Sequence, residues 1–261
     1  MSKRDHHPSS ERFIPALWKQ RRSFILDTLS RFQVESVLDY GCGEASVLSF
    51  LTCPELKFRR LAGIDIDPGV LEEAIGECMP IQSDYAFPRS DSLHVDIYQG
   101  SIGVADDRFT TYDAIVCSEV IEHVYASVLD SFLDLTLGTY GPALMIVTTP
   151  NSEYNVHFPD LKYGTLHATF RHDDHKFEWT RKEFEAWCLE GANKYGYQTE
   201  FHGIGLLDDD TSHGHCTQAC LFIRPYARHS TPSLGQRHQL LKHIEFPFDY
   251  QRNQTLYPDL M

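Results

Sequence analysis

The chain has 261 residues, 42% hydrophobic and 12% aromatic, which suits one α/β domain with extensions better than two full domains. Asp and Glu number 37 against 23 Lys and Arg; the formal net charge of −14 excludes a surface that coats nucleic acid broadly, but not a small site that grips one strand end. No run of about 18 apolar residues occurs, which excludes a membrane-spanning helix, and the opening "MSKRDHHPSSERF" lacks the apolar centre of a signal peptide.

"FIPALWKQRRSFILDTLSRF" carries apolar residues at helical spacing after a proline, with Lys19, Arg21 and Arg22 clustered on it. Val37 and Leu38 then form a short strand, the glycines of "YGCGE" make a turn, and Ala45 to Leu51 start a helix. "RRLAGIDIDPGVLEEAI" repeats the theme, with an apolar strand closing at Asp65 and a helix after Pro68. "LHVDIYQGSI", "YDAIVCSE" and "ALMIVTTP" read as the third, fourth and fifth strands, and "VYASVLDSFLDLTL" between the last two has helical periodicity. From Asn151 to His175 neither period holds; a connection this long in a compact domain is often functional. "RKEFEAWCLEGANKY" is a further helix, and "YQTEFHGIG" with "TQACLFIRP" closes the fold as an antiparallel pair. Strands alternating with helices imply a doubly wound, mostly parallel α/β sheet.

Seven cysteines without a close-set pair read as reduced, mostly buried thiols, so a cytoplasmic protein is expected. Cys216 and Cys220, preceded by His213 and His215, match no common zinc spacing, and "CTQACLFI" alternates like a strand.

Asp39, Gly41 and Gly43 of "DYGCG" stand between a strand and a helix, where glycines permit a tight turn and close approach of a ligand to the backbone. Asp65 closes the second strand at the place where a ribose-binding carboxylate belongs in doubly wound nucleotide folds. Glu44 stands where a pyrophosphate would lie and repels it, so a nucleoside cofactor without phosphate, S-adenosylmethionine, fits better. "LDYGCGEAS" with "GIDID" resembles the first two motifs of the class I methyltransferases. That resemblance places Ser101 of "YQGSI" against the adenine.

"CSEVIEHV" follows the fourth strand. Residues three and four apart share one face of a helical turn, so Glu119, Glu122 and His123 can point at a common centre. Alone this turn does not define a metal site, since a histidine base or a solvated pair of carboxylates fits it equally.

"SEVIEHV", "TTPNSEYN" and "RHDDHKFEWTRKEFEAW" together resemble the small-RNA 3′-terminal 2′-O-methyltransferases, the Hua-enhancer family, as does "FIPALWKQR" before the first strand. The resemblance implies a class I methyltransferase, Rossmann-like, with a seven-stranded sheet and an insertion after the fifth strand. It runs over 12–225, the expected catalytic domain; residues 1–11 are expected to be a disordered tail, and 226–261, without clear periodicity, a tail that is partly ordered at best. It carries the metal-ligand and catalytic roles onto Glu119, Glu122, His123 and His175, for one Mg²⁺ or Mn²⁺ that takes the 2′ and 3′ hydroxyls of a terminal ribose. His123 or His175 is the alternative proton acceptor. Lys19, Arg21, Arg22 and Arg181 are candidates for RNA phosphates, and Asn151 and Ser152 for the terminal nucleotide. The insertion "HFPDLKYGTLHATFRH" is longer than the family leads one to expect; its His167 and His172 read as ordinary loop histidines. The implied partners are a single-stranded small RNA and an Argonaute or Piwi protein presenting its end, with association with RNA granules through that partner and the chain itself a monomer. Two readings compete: a small-molecule O-methyltransferase of the quinone-biosynthesis type, and a methyltransferase fold that has lost catalysis and serves as a scaffold.

Overall fold

In the computed structural model, which describes residues 12–225 and 235–249, five parallel strands form the centre of one sheet. They are β1 (Ser36–Tyr40), β2 (Arg60–Asp65), β3 (His94–Gln99), β4 (Ala114–Ser118) and β5 (Leu144–Pro150). β1 and β5 are buried along their whole length, as strands covered on both faces must be. Two apolar clusters do the covering, one around Tyr40, Phe109, Phe132 and Phe184, the other around Ile25, Leu48, Leu71 and Ile146.

The helices are α1 (Leu17–Phe32), α2 (Leu48–Leu51), α3 (Pro68–Glu77), α4 (Gln82–Ala86), α5 (Ala126–Leu133) and α6 (Arg181–Tyr195). Local chemistry sets their ends. α3 starts with Pro68 in its first turn, and the Asp67 carboxylate accepts the Gly69 N–H at 2.8 Å. α6 starts on a reciprocal cap, in which Glu183 accepts the Thr180 N–H at 2.8 Å and Thr180 Oγ1 accepts the Glu183 N–H at 3.3 Å. α2 is shorter than the periodicity from Ala45 predicts. Ala45 sits at φ +64°, outside helical space, so regular helix begins only at Leu48.

β6 (Gln198–Ile204) and β7 (Thr217–Ile223) close one side as an antiparallel pair. β8 (Gln239–Glu245) pairs antiparallel with β3 on the other side. The order is β6-β7-β5-β4-β1-β2-β3-β8, eight strands where seven are expected. The eighth comes from the stretch read as a C-terminal tail. It escapes a sequence pattern because it is an edge strand with only Ile244 buried, so no alternation marks it. A clamp holds its entry: the buried Asp106 carboxylate accepts the N–H groups of Arg237 at 2.7 Å and His238 at 2.9 Å, and pairs with Arg108. The expected N-terminal tail, residues 1–11, lies outside the described residues, as do 226–234 and 250–261.

Strand order reverses between β1 and β4, and at such a switch point the carboxyl ends of neighbouring strands open a crevice. The Gly41–Gly43 turn leaves β1 there, and the Glu119–His123 turn leaves β4 beside it.

Candidate active site

The loop after β1 has the shape of a cofactor cradle. Gly41 adopts φ +93°, and a side chain on it would meet both Val120 methyls at 2.7 Å. Gly43 adopts φ +52°, and a side chain there would enter open space. Its N–H donates to Asp65 Oδ2 at 3.0 Å, and the Asp67 N–H donates to Oδ1 at 3.0 Å, so the carboxylate at the end of β2 is fixed. Ser101 follows β3 at the same edge, its carbonyl accepting from His238 Nε2 at 3.0 Å. The open space over Gly43, flanked by a fixed carboxylate, fits a nucleoside cofactor.

Asp39, beneath the loop, is buried, and burial first and the nearby Asp65 second push its carboxyl up to about 7. An acid whose folded pKa lies above its unfolded value costs the fold stability once pH exceeds the unfolded pKa, with the full cost above the folded one. Asp39→Asn is therefore expected to raise Tm at pH 8 by about 5 °C and to match the parent near pH 4. Thermal melts across that range check it, and a difference independent of pH would contradict it.

The second half of the site is built on β4 and β5. Glu119 takes φ +56° as the chain turns off β4, and Ile121–His123 form a single 3₁₀ turn. Glu122 is fully buried; Thr149 of β5 donates to its Oε2 at 2.9 Å, while Oε1 has no partner. Burial and the nearby Glu119 charge raise its carboxyl well above the ordinary range. His175 arrives from the insertion, drawn in by the Lys176 N–H donating to the Glu122 carbonyl at 2.7 Å. Ligand atoms of Glu122, His123 and His175 all lie within 4.8 Å of one another.

Both imidazoles are anchored from behind. His123 Nδ1 lies 3.2 Å from Asp174 Oδ2, and His175 Nδ1 lies 2.6 Å from Glu178 Oε1. That leaves both Nε2 atoms for the centre, the carboxylate–histidine arrangement that orients metal-binding rings. Burial alone would raise the Glu178 carboxyl, but hydrogen bonds from His175, the Arg171 N–H and Asn155 outweigh it and hold it below the usual range. Burial and the neighbouring His175 lower the His123 pKa, which favours the neutral ring a metal needs. An unpartnered buried carboxylate oxygen and two backed imidazoles fit a divalent cation.

Three of the four expected ligands therefore meet. The fourth, Glu119, turns toward other partners, Arg21 Nη1 at 3.3 Å and the Thr148 hydroxyl, which donates to it at 2.9 Å. Arg21 thus acts first on Glu119, with only a small exposed fraction left for RNA. The other basic candidates are placed as follows. Arg22 lies over the Phe50 ring at 3.2 Å, Lys19 lies 5.2 Å from the Trp18 ring centre, and Arg181 pairs with Glu153 at 2.6 Å. Asn151 is buried and spends both amide hydrogens on the carbonyls of His213 and His215, so it shapes the edge rather than presenting its amide to a ligand. Ser152 is buried, its N–H donating to the Trp179 carbonyl at 3.0 Å. His167 is exposed, whereas the His172 ring stands 5.8 Å from that of His123.

Sequence reasoning singled out the clustered side chains but not their supports. Asp174 and Glu178 stand inside "DDHKFEW", and an acidic residue next to or three from a histidine was the available signal. Arg171, which donates to the Asn151 and Cys216 carbonyls, gave none. Cys216 and Cys220 are buried, and no cysteine joins a cluster of metal-binding side chains among the described residues.

A glycine cradle after β1, an acidic β2 terminus and a ligand-bearing turn after β4, on this strand order, define a class I methyltransferase domain dependent on S-adenosylmethionine. Residues 11–196 match the family described as a methyltransferase domain. The chain is 37% identical over 253 residues to the small RNA 2′-O-methyltransferase of Mus musculus, covering 95% of this chain and 60% of that protein. The methyltransferase domain of bacterial CtHen1 superposes with a TM-score of 0.64 at 35% identity, over 80% of this chain and 100% of that one. The small RNA methyltransferase HEN1 superposes with a TM-score of 0.75 at 29% identity, over 91% of this chain and 29% of that one. The chain belongs to the small RNA 2′-O-methyltransferase (HEN1) family and carries its methyltransferase domain. It spans about 60% of the length of the curated relative from mouse. No helix among the described residues is long and apolar enough to cross a membrane.

Proposed function

We propose that this domain transfers the methyl group of S-adenosylmethionine to the 2′-hydroxyl of the 3′-terminal ribose of small single-stranded RNAs. The carrying observation is the buried Glu122 with a free oxygen, faced by His123 and His175, each held through Nδ1 by a carboxylate, beside the cofactor cradle. Glu122, His123 and His175 would hold one Mg²⁺ or Mn²⁺, with Glu119 beside them. When bound, the ion supplies Lewis acidity that eases loss of the 2′-hydroxyl proton and favours a ribose whose 3′ oxygen is free.

The chain's own groups do the rest. Asp65, fixed by the Gly43 and Asp67 N–H groups, would accept hydrogen bonds from the cofactor ribose, and the Ser101 loop would flank the adenine. His123 and His175 are candidate proton acceptors at Nε2 as the new C–O bond forms and the C–S bond of the sulfonium breaks. Thr148 and Thr149 hold the two carboxylates on β5, so the methyl acceptor and the cradle stay in fixed relation.

RNA capture is local. With a net charge of −14 and Arg21 and Arg181 engaged by Glu119 and Glu153, affinity for naked RNA should be modest, which favours an end presented by an Argonaute or Piwi protein. The test offers labelled cofactor to a short RNA and to a small catechol, each with Mn²⁺. Transfer to the RNA alone is the expected result; transfer to the catechol that survives His175→Ala would replace this reading with a small-molecule methyltransferase.

A further inference from the structure

Two clusters of ligating side chains lie outside the active site among the described residues. In one, His94, His243 and Glu245, the His243 ring is already engaged by Asp96 at 2.6 Å; the other is His157, Asp210 and His213. His157 ends the 3₁₀ segment Ser152–His157 after β5, while Asp210 and His213 sit in the loop between β6 and β7. One ligand atom from each lies within 4.8 Å of the others. His157 Nε2 is buried without a hydrogen-bond partner, and the nearest Asp210 oxygen, at 3.9 Å, is too far to be one. Tyr154 packs on the His157 ring at 4.4 Å between centroids and limits its swing.

The two loop ligands are also held from behind. The Ser212 N–H donates to Asp210 Oδ1 at 2.9 Å and leaves Oδ2 facing His157. His213 Nδ1 lies 2.9 Å from Ser212 Oγ, which leaves Nε2. Exposed Asp208 and Asp209 add negative charge beside them. An ordinary histidine–carboxylate pair would satisfy the His157 nitrogen; this arrangement leaves it unsatisfied at the distance a bridging ion would close.

We infer that His157, Asp210 and His213 form a second metal site, built for a Zn²⁺-class ion. Two imidazoles and one carboxylate are a zinc donor set with a fourth position for water, and imidazole disfavours Mg²⁺. Its role is structural. The ion ties the insertion after β5 to the β6–β7 loop, and Asn151 then carries that loop to β5, since its amide donates to the His213 and His215 carbonyls at 2.9 Å. The site uses none of the active-site ligands and does not rest on the proposed reaction.

The test counts zinc bound to tag-free protein, stripped with chelator and dialysed against Zn²⁺. His175→Ala removes the active-site cluster as a competing ligand set, and Glu122→Gln provides the same background by a gentler change. Each background is expected to retain one tightly bound equivalent and to gain several degrees in Tm on zinc addition. Adding His213→Ala or Asp210→Asn should abolish both, with far-UV circular dichroism unchanged. Equal zinc content with and without His213→Ala, or no zinc in either background, would overturn the site. Loss of RNA methylation alone would bear on the proposed function and not on this inference.

Discussion

Glu122→Gln is expected to lower methyl transfer to RNA by about 10²–10³-fold, the scale of losing one preorganised charged group at a reacting centre, while leaving Tm unchanged or higher. The two effects separate for a physical reason. The Glu122 carboxyl is fully buried, one oxygen is bonded to Thr149 and the other has no partner. A neutral amide of the same shape keeps the Thr149 bond and relieves the buried charge, so the fold gains while the cation site loses a ligand. Glu178→Gln should act one step back, lowering activity about 10–100-fold by loosening His175. Initial rates across a Mn²⁺ titration, beside thermal melts, check both. Activity lost in proportion to stability would instead make these residues structural.

Gly41→Ala and Gly43→Ala are expected to fail differently. Gly41 combines φ +93° with Val120 methyls 2.7 Å from any added Cβ, so alanine there must displace Val120 or the loop. Strain and overlap of this kind cost about 1–3 kcal/mol, and Val120 lies between Glu119 and Glu122, so both cofactor binding and the ligand turn should suffer. Gly43 has φ +52° and no atom within 4 Å of an added Cβ. Alanine there costs about 1–2 kcal/mol of backbone strain but fills the space left for the cofactor. Calorimetric titration with S-adenosylhomocysteine should show weakened binding in both, with the larger fall in Tm at Gly41. Unchanged affinity in Gly43→Ala would remove the cofactor from that side of the loop.

Much of this was legible in the sequence because it is local. Apolar runs closing on Asp39, Asp65 and Ser118 mark strands, "RKEFEAWCLEGANKY" marks α6, and "EVIEH" places Glu122 and His123 on one turn. The resemblance carried by "DHKFEWT" brought in His175, which no periodicity could join to a turn on another segment. What stayed hidden depends on tertiary placement. Arg21 reads as an RNA-facing charge until α1 sets it against Glu119, and Asn151 reads as a nucleotide contact until the β6–β7 loop takes both its amide hydrogens. β8 lies on an exposed edge, where burial leaves almost no imprint on residue choice.

The measurement closest to the central claim compares two short synthetic RNAs that differ only at the last sugar, one ending in a 2′,3′-diol and one in a 3′-deoxyribose. Each is offered labelled S-adenosylmethionine with Mn²⁺, with Mg²⁺ and with chelator. Transfer confined to the diol and abolished by chelator is the predicted result, with Glu122, His123 and His175 acting as one cation site that reads a terminal ribose. Equal transfer to both RNAs, or transfer indifferent to chelator, would contradict it and leave these residues as an acid–base turn.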